Sequence, residues 1–239
     1  MNIALIGYGK MGHAIEQIAT KRGHTIVHKF TAADKDAINT NNLKKADVAI
    51  EFTHPESASE NIMKCVAAGV PVISGTTGWN KDLPEIEQMV QNGNGTLLHA
   101  SNFSIGVNIF FEINKMLATI MNSHPDYDVV IQETHHTQKK DAPSGTAITL
   151  AEQVLHEVKR KHNWALNDLN NPKSLAIFSH RVDNIPGTHK VSYSSPIDDI
   201  EISHTAHNRD GFALGAVLAA EFIKGKKGIF SMKDVLGLK

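Results

Sequence analysis

The glycine-rich turn near the N-terminus constrains the fold of this chain most. Residues 3–6 read IALI, which is typical of a buried strand, and GYGKMG follows at 7–12. In this G-x-G-x-x-G pattern Gly7 allows a tight turn, Gly9 lets backbone approach a pyrophosphate, and Gly12 permits close packing of helix and strand. The helix that follows adds free N–H groups at its start. We therefore expect dinucleotide binding at Gly7, Tyr8, Gly9, Lys10, Met11 and Gly12.

The order of apolar segments predicts two different architectures along the chain. Up to about residue 100, short β-type runs alternate with helical patterns, which is typical of a parallel sheet covered on both faces. After residue 101, SLAIFSHR, THKVSYSS and DIEISHTAH follow one another without helices, which indicates a mixed or antiparallel sheet. The fold class is thus α/β, with an N-terminal Rossmann-type dinucleotide-binding domain plus an α+β domain. Residues 163–174 are predicted to be a surface loop, and the helical pattern from residue 211 fits either domain.

Composition excludes several classes of protein. The 239 residues carry 24 Lys+Arg and 25 Asp+Glu, so no basic field recruits nucleic acid. No run of about 18 apolar residues predicts a membrane span. Cys65 is the single cysteine, which excludes an internal disulfide and favours a cytoplasmic location. A small molecule is the expected partner.

The end of the second predicted strand bears on the choice of cofactor. NAD-specific sites place an acidic residue there for the ribose 2′-hydroxyl. This chain has His28 and Lys29 instead. A basic residue favours a 2′-phosphate, so we expect NADPH to be preferred and NADH to be tolerated. The alternative for Lys29 is a solvated surface lysine.

Two further turns follow strands whose carboxyl ends should lie at the same sheet edge. They are SGTTGW at 74–79 and HASNFS at 99–104. Ligands of open α/β sheets bind outside these strand ends. Glu51, Phe52 and Thr53 end the third strand at that edge and are weaker candidates. The candidates to hold nicotinamide and its ribose are Gly75, Thr76, Thr77, Ala100, Ser101, Asn102 and Phe103.

The segment HHTQKKDAPSGTA, at 135–147, combines proton-handling side chains with a helix start. Pro143 blocks earlier helix and Ser144 is a preferred N-cap. The N–H groups of Gly145 and Thr146 then form an anion site suited to a carboxylate, and the hydroxyls of Ser144 and Thr146 add donors.

Upstream of that turn, His135 can act as an acid or base near neutral pH, and Lys139 can offer a proton or a fixed charge. His136 points away from His135 along an extended chain, unless the following turn brings both to the ligand. Adjacent histidines on a strand rarely converge on one ion, so no metal site is expected. Lys140 and Asp141 are interpreted as supporting residues.

Five motifs together resemble the dihydrodipicolinate reductases, also called 4-hydroxy-tetrahydrodipicolinate reductases. In chain order they are GYGKMG, GTTGW, ASNFSIGVN, ETHHTQKKDAPSGTA and EISHTAHNRDGFALGA. The resemblance implies NAD(P)H-dependent reduction of 4-hydroxy-tetrahydrodipicolinate to tetrahydrodipicolinate with loss of water, in diaminopimelate and L-lysine biosynthesis. It also implies a homotetramer with dinucleotide-binding residues 1–104 and 210–239, and a substrate-binding and tetramerisation domain at 105–209.

By position, the resemblance makes His135 the proton donor or acceptor and Lys139 the proton donor. It places His136, Gly145 and Thr146 at the substrate, a cyclic dicarboxylate, and we add Arg209 as a further candidate for carboxylate binding. One departure lies in RVDNIPGTH, where Asp183 replaces a glycine and Thr188 a glutamate. Two alternatives stay open: a catalytically inactive NADPH-binding sensor, and another Rossmann-fold reductase of a small carboxylate.

Overall fold

The computed structural model of the protein describes residues 1–238 and divides into two compact units. The first unit comprises Met1–Ile105 and Arg209–Lys239, and the second comprises Gly106–Asn208. Each of the two boundaries between the units lies one residue from the boundary expected from the sequence. Lys239, the last residue of the expected dinucleotide domain, lies outside the described residues.

The strands are β1 (Asn2–Ile6), β2 (Thr25–Phe30), β3 (Val48–Glu51), β4 (Val72–Ser74), β5 (Thr96–His99), β6 (Asp128–His135), β7 (Asn163–Leu166), β8 (Ser174–Arg181), β9 (Gly187–Ser194), β10 (Asp199–Ala206) and β11 (Gly228–Phe230). The helices are α1 (Lys10–Lys21), α2 (Thr40–Leu43), α3 (Pro55–Ala67), α4 (Leu83–Asn92), α5 (Ile105–Met121), α6 (Gly145–Glu157), α7 (Asp210–Ile223) and α8 (Met232–Leu236). Short 3-10 helices cover Ala32–Ala37 and Asn80–Asp82. Within residues 1–238, no helix combines the length and apolar character needed to cross a membrane.

The first unit is built on a parallel sheet with the strand order β11-β5-β4-β3-β1-β2. Strands β2 and β3 flank β1 on opposite sides, so the direction of winding reverses at β1. Open α/β sheets bind ligands at such a reversal, outside the carboxyl ends of the strands. The GYGKMG turn follows β1 directly and therefore lies at this position.

Helices cover both faces of this sheet, as the continuous apolar runs of its strands predict. On one face α3 and α4 contribute buried residues such as Ile62, Cys65 and Ile86. On the other face α1, α7 and α8 pack together, with Ile15 and Ala216 in the same cluster. Helix α7 thus belongs to the first unit, which sequence periodicity left open.

The second unit is built on a mixed sheet with the order β10-β9-β6-β8-β7. Strand β6 is antiparallel to β9 and parallel to β8. Helices α5 and α6 bury their apolar positions against the sheet, with Val107, Phe110, Leu150 and Val154 in one cluster. The predicted architecture, a Rossmann-type sheet plus a mixed sheet, is confirmed.

Two local predictions were wrong, and one segment was not predicted. Residues 163–166 form the edge strand β7 rather than loop, because Trp164 packs on the core and the segment pairs with β8. The apolar spacing after Ser144 predicts a helix to about residue 161, whereas helix α6 ends at Glu157. The C-terminal residues 228–236, for which sequence gave no prediction, add β11 to the parallel sheet and then form α8.

Candidate cofactor and substrate sites

A cavity of about 760 Å³ lies beside the glycine-rich turn of the first unit. All six residues of GYGKMG line it, together with Gly75 and Thr76 from the turn after β4. Thr31 and Lys35, which follow β2, line another part of it. The fold therefore brings the predicted fingerprint and part of the predicted GTTGW site to one cavity, whose lining excludes Thr77.

The glycines that line this cavity differ in whether the protein itself excludes a side chain at their positions. Gly7 has a φ of +94°, and a Cβ there would lie 1.9 Å from the carbonyl oxygen of Phe52. A Cβ on Gly75 would lie 2.2 Å from the Phe52 ring. By contrast, a Cβ on Gly9 would meet no protein atom within 4 Å. Packing explains Gly7 and Gly75, whereas Gly9 leaves open space that a ligand can use.

Glu51 joins the two strand ends that border the cavity. Its carboxylate is fully buried and accepts hydrogen bonds from the hydroxyls of Ser74 (2.6 Å), Thr76 (2.9 Å) and Thr53. Burial raises the pKa of Glu51, although these hydroxyls oppose the rise. The hydroxyl of Thr76 also accepts the N–H of Thr53 at 2.8 Å. Glu51 therefore fixes the position of the Thr76 hydroxyl. The sequence indicated only that Glu51 lies at the end of a strand.

Lys29 makes a different contact from the one its position suggested. Its ammonium group lies 2.6 Å from Glu16 and 4.9 Å from the ring centroid of Tyr8, whose hydroxyl donates to the same carboxylate. Hydrogen bonds from Lys29 and Tyr8 lower the pKa of Glu16. Lys29 does not line the cavity, whereas Lys35 does.

The segment after β5 lies outside the cavity lining. Ala100 is half-buried and donates its N–H to Ser74 at 3.3 Å, and Ser101 is exposed. The Asn102 side chain accepts the N–H of Ser104 at 2.8 Å. Phe103 is buried, 5.6 Å from the Phe52 ring.

In the second unit, β6 carries Glu133 and His135 to one face of the sheet, as residues two apart in a strand must be. Both are buried. The start of α6 closes over them, because the N–H of Ser144 donates to Glu133 at 3.1 Å. The Ser144 hydroxyl accepts the N–H of Ala147 at 3.2 Å and lies 3.1 Å from Nε2 of His189. Ser144 is thus an N-cap, as predicted, with its polar groups engaged inside the protein.

Glu133 is the centre of a buried polar group that also contains His135, Ser144, Arg181 and His189, here called the Glu133 cluster. Its Oε1 accepts the Ser179 hydroxyl at 2.8 Å and the Arg181 guanidinium at 3.3 Å. Its Oε2 lies 3.2 Å from Nδ1 of His135 and 3.7 Å from Nε2 of His189. Burial alone would raise the pKa of Glu133, but the neighbouring His135 side chain and the hydrogen bonds from Ser144 and Ser179 hold it far below its ordinary value.

His189 reaches the cluster from β9. Its ring lies 5.0 Å from that of His135, with an edge-on interplanar angle of 72°. Burial, with a further contribution from the charge of His135, lowers the pKa of His189 to about 3. His189 is therefore neutral at physiological pH. Its place in the sequence, two residues after the glycine of RVDNIPGTH, gave no local signal of a role.

The loop after β6 carries Lys139 and is held from β8. The Lys139 ammonium lies 2.6 and 2.7 Å from the two carboxylate oxygens of Asp141. Burial would raise the pKa of Asp141, but Lys139 holds it below the ordinary value. Arg181 donates to the backbone carbonyls of Lys139 (3.2 Å) and Asp141 (2.5 Å). Asp141 thus supports the loop, as the sequence indicated, and Lys140 is exposed.

The loop also contacts the segment that departs from the family pattern. The Thr137 hydroxyl donates to Asp183 at 2.5 Å. The N–H of Lys139 donates to the His136 carbonyl at 3.0 Å, which closes the turn. Within residues 1–238, Nδ1 of His136 is buried without a hydrogen-bond partner. Such an atom needs a polar partner, so His136 is suited to contact a ligand.

Gly145 and Thr146 are the first two residues of α6, at the positive end of the helix dipole. A Cβ on Gly145 would meet no protein atom within 4 Å. Arg209 is exposed directly before α7 and belongs to the first unit. The described geometry therefore collects His135, His136, Lys139, Gly145 and Thr146 within one unit.

Glu133, His135 and His189 are also the described residues that could together hold a metal ion. One ligand atom from each lies within 4.8 Å of the others. The sequence analysis weighed His136, and not His189, as the possible metal-binding neighbour of His135. Oε1 of Glu133 is already bonded to protein donors, and Nε2 of His189 lies beside Ser144, so we interpret the cluster as a hydrogen-bonding network.

The comparisons with known proteins agree along the whole chain. Residues 1–103 match the family model for the dihydrodipicolinate reductase N-terminus, and residues 106–236 match the model for its C-terminus. This chain belongs to the dihydrodipicolinate reductase family. A curated 4-hydroxy-tetrahydrodipicolinate reductase of Christiangramia forsetii is 49% identical over 238 residues, covering 99% of this chain and 98% of that protein. One from Alkaliphilus metalliredigens is 35% identical, covering 96% of each chain.

Solved structures show the same fold at lower identity. A dipicolinate-bound dihydrodipicolinate reductase from Paenisporosarcina sp. TG-14 has a TM-score of 0.77, with 21% identity and 98% of each chain covered. An engineered D-amino acid dehydrogenase bound to NADP+ has a TM-score of 0.52, with 14% identity, 97% of this chain and 93% of that chain covered. At these identities the likeness to solved structures shows the fold alone.

Proposed function

We propose that this member of the family reduces 4-hydroxy-tetrahydrodipicolinate to tetrahydrodipicolinate with loss of water, using NAD(P)H, in diaminopimelate and L-lysine biosynthesis. The full-length similarity to curated reductases supports this activity. The observation that carries it in the structure is the grouping of His135, Lys139 and the α6 start in one unit. Those groups supply a proton and bind a carboxylate, which reduction of a cyclic dicarboxylate requires.

The first unit would hold the cofactor, which supplies the hydride when bound. The space beside Gly9 fits a pyrophosphate at the start of α1, because no protein atom lies where a Cβ would be. Thr76, fixed by Glu51, would bind the nicotinamide ribose. Gly75, Thr77 and the segment Ala100–Phe103 would complete the nicotinamide end.

The lysines that line the cavity favour NADPH as the preferred cofactor, with NADH accepted. Lys10 begins α1 and Lys35 follows β2, and both border the cavity. Lys64 also lines it but is paired with Glu60 at 2.8 Å. We therefore assign the contact with the 2′-phosphate to Lys35, and the paired Lys29 a smaller part.

The second unit would hold the substrate. One carboxylate would accept the N–H groups of Gly145 and Thr146, with the Ser144 turn fixing their direction. His136 and Arg209 would add donors for the carboxylates. His135 would exchange the proton that accompanies reduction, and Lys139 would donate a proton, with Asp141 keeping its ammonium group in place.

A homotetramer in the cytoplasm is the proposed functional form, built through the second unit. Helix α5 supports this, because Ile109, Ile113, Met116 and Ile120 are exposed at spacings that place them along one face. Light scattering coupled to size-exclusion chromatography measures the assembly. A monomeric mass with full turnover would reject this assembly.

The activity is tested with freshly generated 4-hydroxy-tetrahydrodipicolinate and either NADPH or NADH, following cofactor oxidation. Consumption of both reactants, with a higher kcat/KM for NADPH, is expected. Cofactor binding without turnover would indicate the inactive sensor. Turnover only with an amino acid or semialdehyde, in a parallel panel, would indicate another reductase on this fold.

A further inference from the structure

The buried carboxylate of Glu133 has no part in the substrate and proton roles assigned above. Glu133 is 1% exposed, and a buried charge is costly unless hydrogen bonds and counter-charges surround it. Its donors come from the start of α6 and from β8, through Ser144, Ser179 and Arg181. The fold therefore supplies partners from separate elements to keep one carboxylate at this position.

The two oxygens of this carboxylate face different groups. Oε1 accepts the donors from α6 and β8. Oε2 faces the histidine rings and lies 3.2 Å from Nδ1 of His135. Within residues 1–238, both Oε2 and Nδ1 are buried without an aligned hydrogen bond, so a small rotation of the His135 ring would satisfy both atoms. Hydrogen bonds in unliganded sites are often unaligned and close when substrate binds.

We propose that Glu133 is the positioning residue for His135: it accepts the Nδ1–H of the ring and thereby keeps Nε2 as the proton-exchanging atom. This inference rests on the proposed proton exchange by His135. A carboxylate behind an imidazole selects the ring tautomer and stabilises the imidazolium that forms when the ring takes a proton. The groups that face His135 are Glu133 on its own strand, His189 on β9 and, through Glu133, Arg181 on β8.

Gly187 provides an independent observation on Nε2. A Cβ at this position of β9 would lie 3.0 Å from Nε2 of His135 and 3.2 Å from its Cδ2. Glycine therefore leaves room next to the nitrogen that the Glu133 contact leaves available. A side chain at position 187 would therefore crowd Nε2, the nitrogen that the proposal assigns to proton exchange.

The same carboxylate also orders the loop that carries Lys139. Arg181 contacts Glu133 at 3.3 Å and donates to the carbonyls of Lys139 and Asp141. Glu133 therefore acts on His135 directly and on the Lys139 loop through Arg181. One buried charge sets the geometry of both proposed proton-transfer residues.

Glu133→Gln is the decisive variant, with Glu152→Gln as its matched control on the exposed surface of α6. The amide oxygen would keep the donors of β8 and α6, so its NH2 would face Nδ1 and force the His135 proton onto Nε2. We expect kcat to fall roughly 10²-fold, the size of an acid–base contribution, with KM for NADPH changed less than about threefold. Glu152→Gln should match wild type.

Nitrogen-15 NMR of histidine-labelled protein, with cofactor kinetics in parallel, separates positioning from a structural role. The proposal expects the Nδ1–H tautomer of His135 in wild type and the Nε2–H tautomer in Glu133→Gln. An Nε2–H tautomer in wild type overturns it even if the variant does not fold. Wild-type kcat in a folded Glu133→Gln also overturns it, as does stoichiometric metal whose chelation abolishes turnover. Failure of wild type to reduce the substrate rejects the proposed function instead, while the tautomer of wild type still tests the Glu133 contact.

Discussion

The ammonium group of Lys29 lies 2.6 Å from the Glu16 carboxylate, in an ion pair that ties the end of β2 to α1. Lys35, six residues further along the chain, lines the cavity beside the glycine-rich turn. A lysine that already has a close carboxylate partner gains less from a new anion. The structure therefore separates the two lysines that could contact a 2′-phosphate.

We expect Lys35→Ala to raise KM for NADPH about tenfold and to leave KM for NADH within about twofold. Loss of a charged hydrogen bond costs about 1.5 kcal/mol or more, which is about tenfold in affinity. Lys29→Ala should change the NADPH to NADH ratio less than about threefold. Steady-state kinetics with both cofactors measure these changes. A larger effect in Lys29→Ala would indicate that the lysine at the end of β2 determines the preference for NADPH.

The glycine pair Gly7 and Gly9 tests the cofactor site against a purely structural turn. Gly7→Ala adds a Cβ 1.9 Å from the Phe52 carbonyl at a φ of +94°, so it should lower the free energy of unfolding by at least about 2 kcal/mol. Gly9→Ala meets no protein atom and should cost less than about 1 kcal/mol. Its added methyl should instead raise the NADPH dissociation constant at least about tenfold. Urea unfolding and cofactor titration of both variants measure this, and unchanged cofactor affinity in Gly9→Ala would contradict a pyrophosphate at that position.

Much of the first unit could be predicted from sequence because its signals are local. A strand, a glycine turn and a helix follow one another over about twenty residues, and each element is specified by neighbouring residues. Ser144 was also predicted correctly as an N-cap, since a cap needs only the residues beside it. The C-terminal strand β11 was missed because its three residues become a strand only by pairing with β5.

The Glu133 cluster could not be predicted, because its members come together through strand register. Glu133 and His189 face each other across β6 and β9, although 56 positions separate them in the sequence. Arg181 reaches the cluster from β8, which is parallel to β6. A sequence pattern predicts a function for His135 and Lys139 because they are close together in the chain, but the residues that contact them are long-range neighbours.

His189 should make the free energy of unfolding depend on pH. Its folded pKa of about 3 lies below the ordinary histidine pKa of about 6.5, so the unfolded chain binds a proton that the folded protein does not bind. The unfolded state binds more protons between those values, and stability therefore falls as the pH drops below about 6.5. Urea unfolding at about pH 7.5 and about pH 5 should show a smaller difference for His189→Gln than for wild type. The exposed His162→Gln serves as control, and equal pH dependence in His189→Gln and wild type would contradict a buried neutral ring.

Lys139 and Lys140 are adjacent lysines with different surroundings, which makes them a matched pair. The Lys139 ammonium is fixed by both carboxylate oxygens of Asp141, and Arg181 holds the carbonyls of that loop. Lys140 is exposed. A proton donor must keep its position relative to the substrate, so the ordered lysine is the one suited to catalysis.

Lys139→Ala should therefore lower kcat roughly 10²-fold, while Lys140→Ala stays within about twofold of wild type. Both changes remove one positive charge from the same loop, so a general electrostatic effect on a dicarboxylate would appear in both variants. Steady-state kinetics with NADPH, together with thermal unfolding to show that the variants fold, measure the difference. Similar losses in the two variants would mean that the loop attracts substrate by charge alone, because a positioned proton donor at Lys139 requires the two lysines to differ.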